Sequence, residues 1–462
     1  MKYTLSPFFA EKFEHIAAID CFPYMKEKYS LFWFRRDLRL KDNAALHHAI
    51  KSGKRVLCLF IFDTEILDQL DRNDDTRVSF IHKQLQKINQ QLIILGSRLI
   101  VKNGAVLSCF QELSQEYSIA NIYANKDYEP FAIARDQLIS DYLTSQNVGY
   151  HEFKDQVIFE KREITKKDGL PYTVYTPFMK KWKESFCSEL TNEYDVKLQK
   201  DKFAPLPPME IPSLESIGFT QSQLSIPEYD LSIETLNNYK LLRDFPARNA
   251  TSKLGIHLRF GTISVRQAVS KALSGNDQFL NELIWREFFM QILANFPHVA
   301  TSCFKKKYEN IKWRNNEAEF EHWCNGQTGY PLVDAGMREL LATGTMHNRV
   351  RMVVASFLCK HLLIDWRWGE AWFANHLLDY EQSSNNGNWQ WAAGCGCDAA
   401  PYFRIFNPYE QARRFDPKQE YIRKWIPEID TNKYPKAMVE HKFARQRALD
   451  TYSKALKEEV EI

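Results

Sequence analysis

The sequence predicts two domains of different class: an amino-terminal α/β domain with a doubly wound parallel sheet, and a large all-helical domain behind it. Short apolar runs alternate with helical stretches in the first part of the chain. A proline-rich segment at residues 203–212 then interrupts that alternation. Beyond residue 231, helical spacing continues almost without a break. These three observations define the expected architecture.

The domain boundaries follow from the same pattern. A chain of 462 residues is too long for one ordinary core. We expect an amino-terminal extension at residues 1–28, the α/β domain at 29–155, an interdomain linker at 156–230 and the helical domain at 231–462. The extension mixes charged residues and prolines with its aromatics, so it lacks the apolar core of a signal peptide.

The α/β domain is predicted from runs of strand length that are rich in aromatic and β-branched residues. The expected strands are residues 30–34, 56–62, 97–101 and 120–124, and the expected helices between them are residues 43–52, 75–95 and 105–117. Ligands of such sheets usually bind at the carboxyl ends of the strands. No G-x-G-x-x-G follows the first strand, so the dinucleotide fingerprint is absent.

The composition excludes several classes of protein. A net charge of +3 means that binding to a polyanion would need a local basic patch. The nine cysteines are scattered, which favours a reducing, cytoplasmic location over a disulfide framework. Cys395 and Cys397 form a single C-x-C without a second pair, so no metal site is predicted. No apolar run is long enough for a membrane span.

The stretch at residues 379–391 combines two carboxylates, several amides, one glycine and two tryptophans. Carboxylates and amides beside buried aromatics cost free energy unless their hydrogen bonds are satisfied. A heteroaromatic ligand with several donors and acceptors would satisfy them. A polar turn between two core helices is the alternative.

Two further segments mix charged and apolar residues on one helical face. Glu282, Trp285 and Arg286 share a face with Phe289, although an amphipathic helix with one salt bridge would also give this pattern. In residues 347–352, Asn348 and Met352 share a face, whereas Arg349 and Arg351 project to different sides.

A third segment, residues 251–255, places hydroxyls and backbone N–H groups ahead of a helical stretch, which would suit a phosphate. Trp313, Trp366 and Trp389 are far apart in sequence and, taken alone, are core aromatics.

Taken together, these segments resemble the photolyase/cryptochrome family of flavoproteins, and most closely its class I cyclobutane pyrimidine dimer photolyases. The similarity runs from residue 31 to residue 427. Its strongest blocks are residues 281–288, 329–335, 346–352, 385–391 and 398–408.

The resemblance implies FAD bound within the helical domain. The residues that match cofactor contacts are Tyr239, Thr251, Ser252, Lys253, Leu254, Gly255, Arg286, Arg351, Asp379, Tyr380, Glu381 and Asn385. Among them, Arg351 and Asp379 match an ion pair beside the flavin ring. Asn385 matches the side chain at flavin N5, where plant cryptochromes carry aspartate, and it therefore favours the photolyase branch. Trp389, Trp366 and Trp313 match a chain that passes electrons from the surface to the flavin.

The resemblance also implies a pocket for the DNA lesion. Glu282, Trp285, Asn348, Met352 and Trp391 match residues that hold the extruded dimer. Two tryptophans would give apolar walls, and the polar side chains would meet the Watson–Crick edges. Arg243, Arg349, Arg404 and Gln411 match contacts to DNA phosphates. The six-four photoproduct branch has histidine at positions 348 and 352, which argues against that lesion.

Several positions depart from the family pattern. Glu381 stands where aspartate is usual, and Lys253 and Gly255 replace the commoner arginine and serine. Phe131 and Ala132 occupy positions where folate-binding relatives have polar side chains. A folate antenna is therefore not supported, and a second antenna chromophore of flavin type, or none, remains open.

The function expected from the resemblance is light-driven DNA repair, in which reduced FAD donates an electron to a cyclobutane pyrimidine dimer and recovers it after the ring opens. The chain is expected to act as a monomer on DNA that contains such dimers. The alternative is a cryptochrome-type photoreceptor without repair activity. A dark-acting FAD redox protein or a plain DNA-binding module is a further alternative, but no motif in the sequence supports it.

Overall fold

The amino-terminal domain is a five-stranded parallel sheet in a computed structural model that describes residues 27–457. The strand order is β3-β2-β1-β4-β5. The strands are β1 Tyr29–Phe34, β2 Val56–Asp63, β3 Leu99–Gly104, β4 Ile119–Asn125 and β5 Gly149–Phe153. The doubly wound parallel sheet and the four predicted strands are thus confirmed. Of the predicted extension, residues 1–26 lie outside the described residues.

Helices cover both faces of this sheet. They are α1 Ala44–Lys51, α2 Thr64–Leu67, α3 Thr76–Ile94, α4 Val106–Glu116 and α5 Pro130–Ser145. Because side chains alternate along a strand, Phe32 and Phe34 enter one apolar cluster, whereas Leu31 and Trp33 enter the other. Every residue of β1 and β2 is buried, as expected for central strands of a sheet covered on both faces.

The segment predicted as a linker lies against both domains. It contains helix α6 Tyr175–Ser185 and three short 3₁₀ turns, Ser188–Thr191, Lys200–Lys202 and Glu215–Ile217. Ala204 donates its backbone N–H to the carbonyl of Val56 at 3.0 Å, so the linker runs beside the start of β2. Ala204 and Leu206 are buried in the core beneath the sheet.

The carboxyl-terminal domain is helical, as predicted. Its helices are α7 Ile233–Leu242, α8 Leu254–Arg259, α9 Val265–Leu273, α10 Asp277–Asn295, α11 Glu317–Cys324, α12 Pro331–Thr343, α13 Asn348–Ser356, α14 Trp366–His376, α15 Gln382–Ala393, α16 Pro408–Phe415, α17 Glu420–Trp425 and α18 His441–Lys457. Short 3₁₀ turns at Pro297–Ala300 and Lys306–Asn310 and a π-helix at Phe357–Leu362 complete it. None of the helices within residues 27–457 is both long and apolar enough to cross a membrane.

Buried charges join the two domains. Arg39 follows β1 and donates to Asp155 Oδ2 at 2.7 Å and to the carbonyl of Gly261 at 3.0 Å. Arg266, on α9, donates to Asp155 Oδ1 at 2.7 Å and to Asp42 Oδ1 at 2.8 Å. Each charge is paired and hydrogen-bonded, which offsets the cost of removing it from water.

Candidate functional site

A cavity of about 400 Å³ opens in the helical domain, between α7, α8, α10, α13 and α15. It collects most of the predicted site residues, although they come from distant parts of the chain. The predicted residues that line it are Tyr239, Arg243, Thr251, Ser252, Lys253, Leu254, Gly255, Glu282, Arg286, Asn348, Arg351, Met352, Asp379, Tyr380, Glu381, Asn385, Trp389 and Trp391. One cavity therefore contains residues from both the predicted cofactor set and the predicted lesion set.

Arg351 and Asp379 form an ion pair on the cavity wall. Arg351 Nη2 lies 3.1 and 3.0 Å from the two carboxylate oxygens, and its Nε donates to the carbonyl of Met346 at 2.8 Å. Gly255 packs against this pair, and a Cβ at position 255 would lie 3.1 Å from Asp379 Oδ2. Such a contact is tight, so the glycine found where serine is common leaves room for the aspartate.

The amide of Asn385 is oriented by Glu370. Its Nδ2 donates to Glu370 Oε1 at 2.9 Å and to the Glu370 carbonyl at 3.1 Å. Both donors of the amide are thereby used, so its oxygen is the atom left for a ligand. Burial raises the pKa of Glu370, although the bond from Asn385 opposes that shift. Sequence reasoning missed Glu370, whose only signal is a carboxylate within the aromatic-rich helix α14.

Glu381 precedes α15 and is almost completely buried. Its Oε1 accepts from Arg286 Nη2 at 2.9 Å and from Arg36 Nη2 at 2.7 Å, and its Oε2 accepts from Ser384 Oγ at 3.1 Å. Burial alone would raise the pKa of this carboxyl, but Arg286, Arg36 and Arg259 outweigh burial and hold the pKa below its ordinary value. Arg36 was not singled out from the sequence.

Four of the five predicted lesion residues line the cavity, namely Glu282, Asn348, Met352 and Trp391. Glu282 accepts from Gln278 Nε2 at 2.7 Å and also pairs with Arg243. Arg243, predicted to bind a DNA phosphate, is thus paired with a residue predicted to contact the lesion. Trp391 lines the cavity and lies 6.4 Å from the ring of Phe406.

Trp285 is stacked on another aromatic residue. Its ring lies 3.6 Å from that of Tyr175 at an interplanar angle of 7°, and Phe289 lies 5.5 Å away. The Tyr175 hydroxyl donates to the carbonyl of Asn281 at 2.8 Å, which fixes the stack. Trp285 is not one of the described residues that line the cavity. One face of this tryptophan is therefore already covered, and sequence spacing could not reveal Tyr175 as its partner.

The three predicted electron-transfer tryptophans differ in exposure. Trp389 and Trp366 are buried, whereas Trp313 is partly exposed and lies 6.0 Å from the ring of Tyr452. Trp389 has a further indole neighbour, Trp323, at 6.2 Å. Trp323 was not predicted, because a buried tryptophan in a helix is ordinary core by sequence alone.

The remaining predicted DNA contacts lie away from the cavity walls. Arg349 donates to Asp244 Oδ1 at 2.8 Å, and its guanidinium lies 4.3 Å from the ring centre of Phe415. Arg404 is exposed, and Gln411, on α16, is partly buried. No group of three His, Cys, Asp or Glu side chains able to hold a metal ion is found in the part of the chain that the structure describes.

Family comparisons agree with this two-domain architecture. The model described as DNA photolyase matches residues 30–197, and the model described as the FAD binding domain of DNA photolyase matches residues 279–433. A deoxyribodipyrimidine photo-lyase of Vibrio cholerae is 34% identical, with 92% of this chain and 99% of the relative covered. One of Synechococcus is 37% identical, with 88% and 90% covered.

Solved structures give the same result. A class III photolyase of Agrobacterium tumefaciens has a TM-score of 0.81 at 33% identity, covering 96% of this chain and 100% of that one. An archaeal photolyase of Sulfolobus tokodaii, described with two FAD molecules, has a TM-score of 0.81 at 33% identity, with 92% and 99% covered. A cryptochrome of Synechocystis has a TM-score of 0.79 at 25% identity, with 92% and 99% covered.

The two-domain fold and the matching family models define a flavoprotein with a helical FAD-binding domain. This chain belongs to the DNA photolyase family, which confirms the family-level resemblance read from the sequence.

Proposed function

We propose that this chain is a light-driven DNA repair enzyme that splits cyclobutane pyrimidine dimers with FAD bound in the helical cavity. One observation carries the proposal: a single cavity is lined by the ion pair Arg351–Asp379 and the oriented amide of Asn385, and also by Glu282, Asn348 and Trp391. A cofactor and a flipped-out pyrimidine dimer could therefore sit next to each other. The named function of the photo-lyase relatives supports this proposal.

The residues of the cavity fit FAD. Lys253 and the hydroxyls of Thr251 and Ser252 offer a cation and donors to an anionic diphosphate. Asp379 with Arg351, and the free oxygen of Asn385, suit the polar edge of a heteroaromatic ring. The chemistry that reduced FAD supplies when bound is light-driven donation of one electron to the dimer and recovery of that electron.

The part of the cavity lined by Glu282, Asn348, Met352 and Trp391 would hold the lesion. Trp391 offers an apolar wall, Met352 an adaptable thioether, and Glu282 and Asn348 hydrogen bonds to base edges. Arg349, Arg404 and Gln411 would contact phosphates of the DNA strand. The dimer is favoured over the six-four photoproduct because Asn348 and Met352 stand where that branch has histidine.

Trp389 would deliver electrons to oxidised flavin from Trp366 and Trp313. It lines the cavity, and Trp313 at the other end of the predicted chain is partly exposed. A second chromophore is neither assigned nor excluded by the residues of this chain. Because a similar archaeal photolyase is described with two FAD molecules, the number of flavins bound per chain should be measured. Two flavins per purified chain would support an antenna of flavin type, whereas one would leave only the cavity occupied.

The test is a repair assay with reduced, purified protein and an oligonucleotide that carries one thymine dimer, in blue light and in the dark. Loss of the dimer only in the light is the expected result, and a matched oligonucleotide with a six-four photoproduct should stay unrepaired. If the dimer persists in the light, repair is excluded. Light-driven flavin reduction without repair would favour the photoreceptor alternative, and equal activity in both arms would favour a dark redox protein.

A further inference from the structure

Arg36 reaches from the α/β domain to the wall of the cavity. It is the second residue after β1, and it lies 345 positions before Glu381 in the sequence. Its Nη2 donates to Glu381 Oε1 at 2.7 Å, in a place where the glutamate side chain is 5% exposed and the arginine 11%. Glu381 lines the cavity, whereas Arg36 stands behind it.

The other nitrogens of Arg36 fix its position. Nη1 donates to Asp127 Oδ1 at 3.1 Å and to Glu129 Oε1 at 3.0 Å, both just after β4. Nε donates to the carbonyl of Arg259, at the end of α8, at 3.3 Å. Every nitrogen of the guanidinium is therefore used, and the group cannot turn without breaking several charge-assisted bonds.

The glutamate depends on this arginine for its orientation. Its side chain does not cap the helix that follows it, and instead turns toward the domain boundary. Oε1 is shared between Arg36 and Arg286, and Oε2 takes the Ser384 hydroxyl. An aspartate at position 381 would withdraw the carboxylate by about 1.5 Å, beyond hydrogen-bond reach of Arg36. The extra methylene thus allows Glu381 to make this one of the contacts between the domains.

We propose that Arg36 is a positioning residue for the flavin site: it holds the Glu381 carboxylate at the cavity wall and thereby controls the affinity and the reduction potential of the bound flavin. The inference rests on the proposed function only in that the flavin occupies this cavity. Without the guanidinium, Glu381 carries a less compensated negative charge beside the flavin. An added electron is then less favourable, so the reduction potential falls.

The test compares Arg36→Gln with Arg39→Gln. Arg39 is a matched control because it follows the same strand, is 9% exposed and joins the same two domains through Asp155 and Gly261. We expect Arg36→Gln to weaken FAD binding about tenfold, measured by flavin fluorescence, because a hydrogen bond to a buried charge is lost. We also expect a more negative midpoint potential. Arg39→Gln should lower thermal stability but leave the flavin affinity and the midpoint potential near the wild-type values.

Two further variants separate positioning from simple loss of packing. Arg36→Lys keeps the charge and should restore the midpoint potential while recovering only part of the affinity. In a Glu381→Asp background the contact is already broken, so adding Arg36→Gln should change the FAD affinity less than about twofold. If Arg36→Gln folds poorly, Glu381→Asp alone tests the contact, because it removes the contact while the arginine remains, and an unchanged FAD affinity in that variant would overturn the proposal.

Equal effects of Arg36→Gln and Arg39→Gln on the flavin would overturn the positioning role and leave the proposed function intact. The same would follow from an undiminished tenfold effect of Arg36→Gln in the Glu381→Asp background. If the wild-type chain bound no FAD, the proposed function and this inference would both fall.

Discussion

Two regions of the molecule have the features of a ligand site, and they differ in how their charged residues are arranged. The strand order of the sheet reverses between β1 and β4, and a doubly wound sheet usually binds its ligand at that point. Here Arg35, directly after β1, donates to the carbonyl of Asn125 at the end of β4 and pairs with Asp136. Arg35 and Arg135 also lie 4.9 and 5.0 Å from the ring centre of Trp33.

The helical cavity shows the opposite arrangement. Arg351 and Asp379 are paired on its wall, and the walls enclose a space of about 400 Å³. At the sheet edge, Asp136 is paired with both Arg35 and Arg135. The topology of a sheet shows where strand ends converge. The side chains at that place determine whether a ligand can bind there or whether paired charges stabilise the fold. Charges at the sheet edge should serve stability, and charges in the cavity should serve chemistry.

The largest expected effect is on electron supply to the cavity. Trp389→Phe should abolish most of the light-driven reduction of oxidised FAD, because it removes the oxidisable ring that lines the cavity. Repair by enzyme that is already reduced should stay close to wild type. Transient absorption of the flavin and the dimer assay measure the two quantities on the same preparation. Parallel loss of photoreduction and repair would contradict a role restricted to electron supply.

The ion pairs at the sheet edge can be removed directly by mutation. Arg35→Ala leaves Asp136 with only its Arg135 partner in a buried setting, and it should lower the free energy of unfolding by about 3 kcal/mol. Urea denaturation measures this change. The exposed pair Arg413–Glu410 provides the control, since Arg413→Ala should cost less than about 1 kcal/mol. A stable Arg35→Ala variant that gained a bound flavin would show that the edge is a masked site.

The two predicted lesion tryptophans should differ. Trp391→Ala should weaken binding of dimer-containing DNA by about 2 kcal/mol, roughly 30-fold, because a stacking wall of the cavity is lost. Trp285→Ala should weaken DNA binding less, since Tyr175 already covers one face of that ring in the folded protein. Fluorescence anisotropy with a labelled oligonucleotide gives both affinities. Equal losses would mean that Tyr175 moves away when DNA binds.

A smaller effect concerns Glu287, which lies next to Arg286 but points away from the cavity and anchors the linker. It accepts the backbone N–H groups of Ile158 and Phe159 and the indole N–H of Trp182. Burial raises the pKa of this carboxyl to about 7. The unfolded chain then loses its proton at lower pH than the folded chain does, so stability falls as pH rises toward 7, by about 2 kcal/mol between pH 5 and pH 7.

Urea denaturation at several pH values checks this dependence. Glu287→Gln should show a much flatter profile, because the amide does not titrate in this range. An unchanged profile in that variant would assign the pH dependence to another group.

The sequence predicts the fold well because the fold rests on local patterns. Runs such as residues 56–62 have strand length and composition, so four strands could be placed. Strand β5 was missed, because it is half exposed and carries Gly149, His151 and Glu152. Its pattern differs from that of the buried central strands.

Only part of the candidate site could be predicted from the sequence. Motif positions such as Asn385 and Asp379 are recognisable, and the structure brings them into one cavity. Glu370 and Arg36 are not, because each acts through a contact made only in three dimensions. Spacing along the chain carries no information about such partners, and their residue types are ordinary at those positions.

The central claim is that flavin and lesion share the helical cavity, and the fluorescence lifetime of the reduced flavin tests it most directly. Electron transfer to a dimer in the same cavity would compete with emission. A dimer-containing oligonucleotide should therefore shorten the lifetime, whereas the undamaged oligonucleotide should not. An unchanged lifetime at saturating, independently verified binding of the damaged DNA would contradict the claim.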